Sequence, residues 1–426
     1  METTSPARAN ADRIAALDII RGVAVIGILL MNITSFAMPM GAYFNPLAWG
    51  TPGTADLMTF ALNFVLVDGK MRGLFSLLFG ASMTLVIDRA NHRMPGSGAG
   101  VHLRRMAILA LFGLAHYYLI WAGDILFLYA ATGTVALLFM RRSAASLIRA
   151  ALFAFITAFL LSLLFIASFY LMQFHAQASG GTEALRDFND MLDGIGAPGS
   201  QITGEEVVAL RGSYADALGY RFSPAMAGGP FTMLWMSGIE TLAYMLAGAG
   251  LMRSGFFEGQ WGAERYRTIA RNYGLPALVA LVILVAQLWR GGFDTLASFA
   301  AFFSWSVPFD WMMTFAYAAL LVLAVERWRD TWLAARLAAA GRAAFTNYLG
   351  TSIVMTSLFY GYGLGWFGTV ARWQLPLFVA AMAVLMLAWS KPWLDRFHYG
   401  PLEWAWRSLA RGSLQPFRRD HQDKAN

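Results

Sequence analysis

Residues 104–142 read RRMAILALFGLAHYYLIWAGDILFLYAATGTVALLFMRR. Apart from tyrosines, the stretch between the two arginine pairs holds just two ionisable groups, His116 and Asp124. Apolar runs of this kind suit helices that cross a hydrocarbon core about 30 Å thick. The stretch therefore reads as two membrane spans, about 104–122 and 125–140, joined by a turn at Asp124. The arginines at its two outer ends mark a single side, because Lys and Arg accumulate in cytoplasmic loops.

The chain around this hairpin has the same character. Of 426 residues, 58% are hydrophobic and 13% charged, against about 25% charged in soluble domains. Further apolar runs occupy about 14–38, 71–88, 146–172, 230–252, 272–289, 309–326, 344–362 and 374–390. The expected fold is an all-α integral membrane protein, a polytopic bundle of about ten transmembrane helices. Shorter runs at 55–67 and 295–306 would raise the count to eleven or twelve, or form re-entrant or interfacial helices. The run from Ile14 is too long for a signal-peptide core and is expected to be retained. The absence of cysteine excludes disulfides, thiolate nucleophiles and cysteine metal sites. The net charge of +7 follows from basic loops and gives no reason to expect a nucleic-acid partner.

Basic clusters alternate along the chain: Arg8 and Arg13; Arg89 to Arg105; Arg141 to Arg149; Arg265 to Arg271; Arg327 to Arg342; and the C-terminal tail. The loops between them are poor in Lys and Arg, and 173–229 holds seven acidic residues against three arginines. Both termini are expected to be cytoplasmic, provided that 55–67 does not cross fully and leaves Lys70 and Arg72 near the outer surface. Four regions result: spans in 1–172, an extracytoplasmic insertion with short helices at 173–229, spans in 230–394, and a cytoplasmic tail at 395–426. Trp121 and Trp406, near predicted boundaries, read as interface anchors.

Ionisable residues inside spans are costly and mark candidate sites. Asp18 and Arg21 are three apart, hence on one helical face, with Asn32 further along. His116 lies about 17 Å beyond Arg105 at 1.5 Å per residue, close to Asp124 in the turn. A carboxylate that orients an imidazole makes a general base for an attacking hydroxyl or amine. The bland alternative is a His satisfied by a neighbouring helix and an Asp capping the next one. Glu240 could pair with a cation such as Arg21, stand protonated, or belong to a proton or substrate path, while Gly248 and Gly250 read as close helix packing. Asn347 and Tyr348 line the same cavity or hydrogen-bond across helices, the reading preferred for Asn347. Arg396, Glu403 and Arg407 read as a cap held by surface ion pairs. His92, His102 and His175 fall in predicted loops, and no histidine pattern suits a metal.

Phosphate-loop, dinucleotide and GxSxG motifs are absent. Six blocks, however, appear in the order of one known family: RIAALDIIRGVAVIGILLMNI (13–33), RGLFSLLFGASMTLVIDRA (72–90), RRMAILALFGLAHYYLIWAGDILFLYAATG (104–133), YMLAGAGLMRSGFF (244–257), GRAAFTNYLGTSIV (341–354) and SKPWLDRFHYGPLEWAWRSLARG (390–412). The chain resembles the YeiB-like family of bacterial multi-span membrane proteins, domain of unknown function 418. Its LDxxRG opening is also similar to that of the acyltransferase-3 proteins and the heparan glucosaminide acetyltransferases, membrane enzymes that move acyl groups onto sugars. In acyltransferase-3 proteins a His follows the Arg by eleven residues; here that position is Asn32, a neutral amide that cannot act as a base.

The resemblance implies transfer of an acyl group from a cytoplasmic donor, acyl-CoA such as acetyl-CoA, to an extracytoplasmic acceptor. His116 and Asp124 would then be catalytic, with Arg21, Asp18, Asn32, Glu240 and Asn347 as donor- or substrate-binding residues. Neither a permanently bound cofactor nor a metal is expected. The expected partners are the bilayer, the donor and the acceptor, with a homo-oligomer left open. The alternatives are a transporter for a small metabolite or lipid-linked compound, and a scaffold whose buried polar groups only specify packing.

Overall fold

The structure is a computed structural model and describes residues 6–179 and 181–419. Among the described residues, eighteen α-helices make up the regular structure, with short 3-10 and π turns and one isolated antiparallel bridge, Phe397 to Arg418. The first half holds α1 (Pro6–Ala37), α2 (Met40–Phe44), α3 (Thr54–Leu66), α4 (Lys70–Arg93), α5 (Gly98–Leu119), α6 (Leu126–Ala136) and α7 (Ala144–Ser179). The insertion forms α8 (Thr182–Gly194), α9 (Gln201–Arg211) and α10 (Tyr214–Arg221). The second half holds α11 (Gly229–Arg253), α12 (Ala263–Arg290), α13 (Thr295–Ala300), α14 (Val307–Trp328), α15 (Trp332–Arg342), α16 (Ala344–Phe359), α17 (Leu375–Arg396) and α18 (Pro401–Arg411).

Among the described residues, seven helical segments are long and apolar enough to cross a membrane, as a polytopic helical membrane protein requires. They are Ala16–Ala37, Thr54–Arg93, Gly98–Leu119, Ala144–Ala178, Ala263–Arg290, Val307–Trp328 and Arg372–Arg396. The other three apolar runs also form helices: α6, α16 and α11. The last carries Ser237, Glu240 and Thr241, all buried against protein. α11 is central, so its polar groups face neighbours and its surface need not be apolar all round. α7 is the opposite case, with Leu152, Phe153, Leu160 and Leu164 exposed, as expected of a lipid-facing helix.

Small residues bring the central helices together. A Cβ on Gly80 of α4 would collide with the Met245 carbonyl of α11, and one on Gly248 with the Leu77 carbonyl of α4. The backbones thus touch where side chains would hold them apart. Gly250 likewise faces Ile148 of α7.

Several expectations change. The 55–67 segment becomes α3, which breaks at Val67–Gly69, with Gly69 at φ +73°, before the chain continues as α4. Lys70 and Arg72 are therefore inside the bundle and not at a surface, Lys70 being 1% exposed, because each meets a carboxylate there. The 295–306 segment is α13 followed by a π-helical turn, Ala301–Trp305, that runs into α14. α7 continues to Ser179, past the expected end at 172. His92, His102 and His175 lie in α4, α5 and α7 and not in loops. The insertion docks on the bundle: Gly361 N–H donates to the Leu210 carbonyl (2.8 Å) and Arg221 Nε to that of Tyr118 (2.7 Å). Residues 397–419 fold back instead of trailing away, with His398 N–H donating to the Phe417 carbonyl and Arg419 N–H to that of Arg396.

Candidate functional site

A cavity of about 380 Å³ opens at the arginine-rich end of the bundle, between α1, α4, α5, α16 and α18. Its mouth carries Arg21, Arg89, Arg105, Arg342 and Arg407 against two carboxylates, Asp18 and Glu403. Its inner wall is apolar and aromatic, with Phe75, Phe79, Leu109, Ile125, Tyr129 and Tyr348. An anionic group is favoured at such a mouth and an uncharged chain at such a depth.

Arg21, Asp18, Arg105, Arg407 and Glu403 are held by their neighbours. Arg21 donates to Asp18 Oδ1 at 2.6 Å, one helical turn away, and to Ser82 Oγ of α4 at 2.8 Å. Arg105 lies 4.1 Å from the Trp406 ring centre, and Trp406 Nε1 donates to the Arg105 carbonyl. Trp406 is therefore part of the mouth and not an anchor in lipid. Arg407 stacks over Tyr399, and burial holds its guanidinium below the usual range. Among the described residues Glu403 forms no ion pair. Its Oε1 accepts the N–H groups of Phe345 and Thr346 at 2.7 and 3.0 Å, and its Oε2 the Thr346 hydroxyl at 2.6 Å. It caps the start of α16 from α18, which joins the FTNYL and GPLEW blocks physically. Burial raises the Glu403 carboxyl above the usual carboxylate range, against the hydrogen bonds from Thr346 and Phe345.

His116 and Asp124 form a dyad behind the inner wall. Nδ1 and Oδ1 are 2.8 Å apart, and both side chains are fully shielded from solvent. Asp124 Oδ2 accepts the Phe127 N–H at 2.8 Å and so caps α6 as well. Gly113 of α5 permits this, since a Cβ there would collide with the Phe127 backbone. A neutral imidazole that donates its Nδ1–H to Asp124 Oδ1 keeps Nε2 as its basic nitrogen. Among the described residues Nε2 has no hydrogen-bond partner. Tyr348 joins dyad and cavity: its ring centre is 5.3 Å from that of His116, and its hydroxyl accepts the Ile125 N–H at 3.3 Å. Trp121, 3% exposed, stacks on Phe36 and also faces His116, so it is a core residue and not an interface anchor.

The remaining candidates are dispersed. Glu240 pairs with Arg72 at 2.7 Å, and not with Arg21. Asn32 is half-buried and does not line the cavity. Asn347 donates to the Ala340 carbonyl and Ser390 Oγ and accepts from Trp389 Nε1, tying α15, α16 and α17 together. His102, buried in α5, sets Nε2 2.9 Å from the Gly133 carbonyl and lines the cavity. The sequence reading did not single out the Lys70–Asp310 pair (2.6 Å) or the capping role of Glu403. Lys70 and Asp310 were visible as charges beside apolar runs, whereas the reach of Glu403 across 57 positions has no local signal. Among the described residues no group of three His, Cys, Asp or Glu side chains could hold a metal.

Comparison with known proteins bears on the whole chain. It is 30% identical over 427 residues to the uncharacterized protein YxaH of Bacillus subtilis (strain 168), covering 98% of both chains. The chain belongs to the YeiB-like DUF418 family. The uncharacterized protein YeiB of Escherichia coli (strain K12) is 29% identical over 426 residues, covering 95% of this chain and 98% of that one. Residues 251–413 match the family described as Protein of unknown function (DUF418). That match takes in the α11 end, α16 and α18, and so the Glu403 cap and Tyr348 of the family member described above.

Proposed function

We propose that this protein is an acyltransferase of the bacterial inner membrane, which takes an anionic acyl donor from the cytoplasm and acylates an extracytoplasmic acceptor. The observation that carries this reading is the cavity that runs from the arginine-lined mouth to Tyr348, whose ring packs against His116, an imidazole whose Nε2 has no hydrogen-bond partner among the described residues. The basic clusters support a cytoplasmic mouth. Arg21, Arg89, Arg105, Arg342 and Arg407 are the residues suited to the phosphates of acyl-CoA, since guanidinium groups fork onto phosphate oxygens. The acyl chain then lies along the apolar wall, with Tyr348 standing between it and the imidazole.

In the transfer step, His116 Nε2 takes the proton of an acceptor hydroxyl or amine. The freed oxygen or nitrogen attacks the thioester carbonyl, the carbon–sulfur bond breaks, and the thiolate leaves with the proton returned by the imidazolium. Asp124 holds the ring and stabilises its charged form, so that one group serves as base and then acid. Neither Asn32 nor Asn347 is needed for this step. The test is radiolabelled acetyl-CoA with protein in nanodiscs, following CoA release and label transferred to added membrane glycans. Turnover that His116→Ala abolishes supports the proposal; equal turnover in wild type and variant removes it.

Transport of a small metabolite is the second reading. It is supported by two broken helices, α3–α4 and α15–α16, together with the buried Lys70–Asp310 and Arg72–Glu240 pairs, since broken helices recur at transport sites.

A further inference from the structure

A second recess lies between α15 and α17, a groove of about 560 Å³ that shares no lining residue with the cavity. Its walls carry Trp332, Arg336, Lys391, Asp395 and Arg396, so three cations face one acid. Lys391 pairs with Asp395 at 2.6 Å. Arg336 donates to the Leu387 carbonyl at 2.8 Å and lies over the Trp332 ring. Arg396 is exposed and has no ion-pair partner among the described residues. Trp332 is 72% exposed, and Trp328, just before it at the end of α14, is 63% exposed.

These features belong together. Open indoles at the ends of membrane helices sit at the depth where lipid headgroups begin. Cations gathered between helices at that depth are the recognised chemistry for anionic headgroups. The groove's cations exceed its acid, and its guanidinium groups can fork onto phosphate oxygens. The indole of Trp332 and the ring of Pro392 offer an apolar wall beside them, which a free phosphate would not use. We propose that the α15–α17 groove binds a phosphate-bearing headgroup, supplied by an anionic phospholipid of the surrounding bilayer.

The test uses the full chain in mild detergent with equal amounts of phosphatidylglycerol and phosphatidylcholine, counting retained lipids by native mass spectrometry. Wild type is compared with the double variant Lys391→Gln, Arg396→Gln. Gel filtration and the thermal midpoint show that this variant, altered only at partly open positions, is folded. The expected result is about tenfold preference for phosphatidylglycerol in wild type and near parity in the variant. Equal retention of the two lipids by wild type, or an unchanged preference in the folded variant, overturns the proposal. Displacement of phosphatidylglycerol by inorganic phosphate makes free phosphate the occupant and overturns the lipid assignment.

Discussion

Tyr348 packs its ring against His116, centroids 5.3 Å apart, while the same side chain forms part of the wall of the arginine-mouthed cavity. The imidazole is therefore one side chain away from a space that opens at the other end of the bundle. Tyr348→Trp, with a larger ring in that position, is expected to cut acyl transfer at least about tenfold by closing the contact. Tyr348→Phe keeps the ring and loses two long hydrogen bonds, from Ile125 N–H at 3.3 Å and to the Gly123 carbonyl at 3.5 Å, and should stay near wild type in turnover. Labelled acetyl-CoA turnover checks both.

Asp124→Asn should lower turnover by about 10²–10⁴-fold, because the amide no longer favours the charged imidazole. Asp124 also caps α6, but an amide oxygen accepts the Phe127 N–H equally well, so little change in stability is expected alongside. Thermal unfolding separates the two effects: a rate loss without the large stability loss is the expected pattern.

Glu403→Ala leaves the Phe345 and Thr346 N–H groups without their acceptor. Buried donors stripped of a partner cost about 1–3 kcal/mol. The thermal midpoint should fall, and Glu403→Gln, which keeps an acceptor oxygen, should fall less. An unchanged midpoint in Glu403→Ala would show that α18 does not hold α16.

Glu206 of the insertion accepts the Met40 N–H at 2.9 Å, and burial pushes its carboxyl up to about 7 from an ordinary value of 4.5. A carboxyl raised on folding binds a proton more tightly in the docked state. Its contribution is present in full below the ordinary value and is lost as pH rises through about 7. Proteolysis within 201–221 should therefore be slower at pH 5 than at pH 8, after correction for the protease's own pH profile. Glu206→Gln should flatten the difference.

The helices and the dyad were legible in the sequence for the same reason. Long apolar runs state their own length, and a lone His and Asp stand out within them. What the sequence hid was partnership between distant positions. Glu240 offered a charge without saying whether Arg21 or Arg72 would meet it, and the break after α3 that puts Arg72 inside the bundle decides the matter. Glu403 read as one member of a cap held by surface ion pairs; its bonds to Phe345 and Thr346 form where residues 397–419 fold back. Asn347 was read as glue across helices, and three hydrogen bonds now fix its place.

Donor binding and chemistry fall to different residues, and one paired measurement separates them. Acetyl-CoA binding and turnover are measured on wild type, Arg21→Gln and His116→Ala in nanodiscs. The account predicts that Arg21→Gln weakens binding, whereas His116→Ala binds the donor as wild type does and loses turnover by about 10²–10⁴-fold. Turnover retained in a folded His116→Ala protein would contradict it.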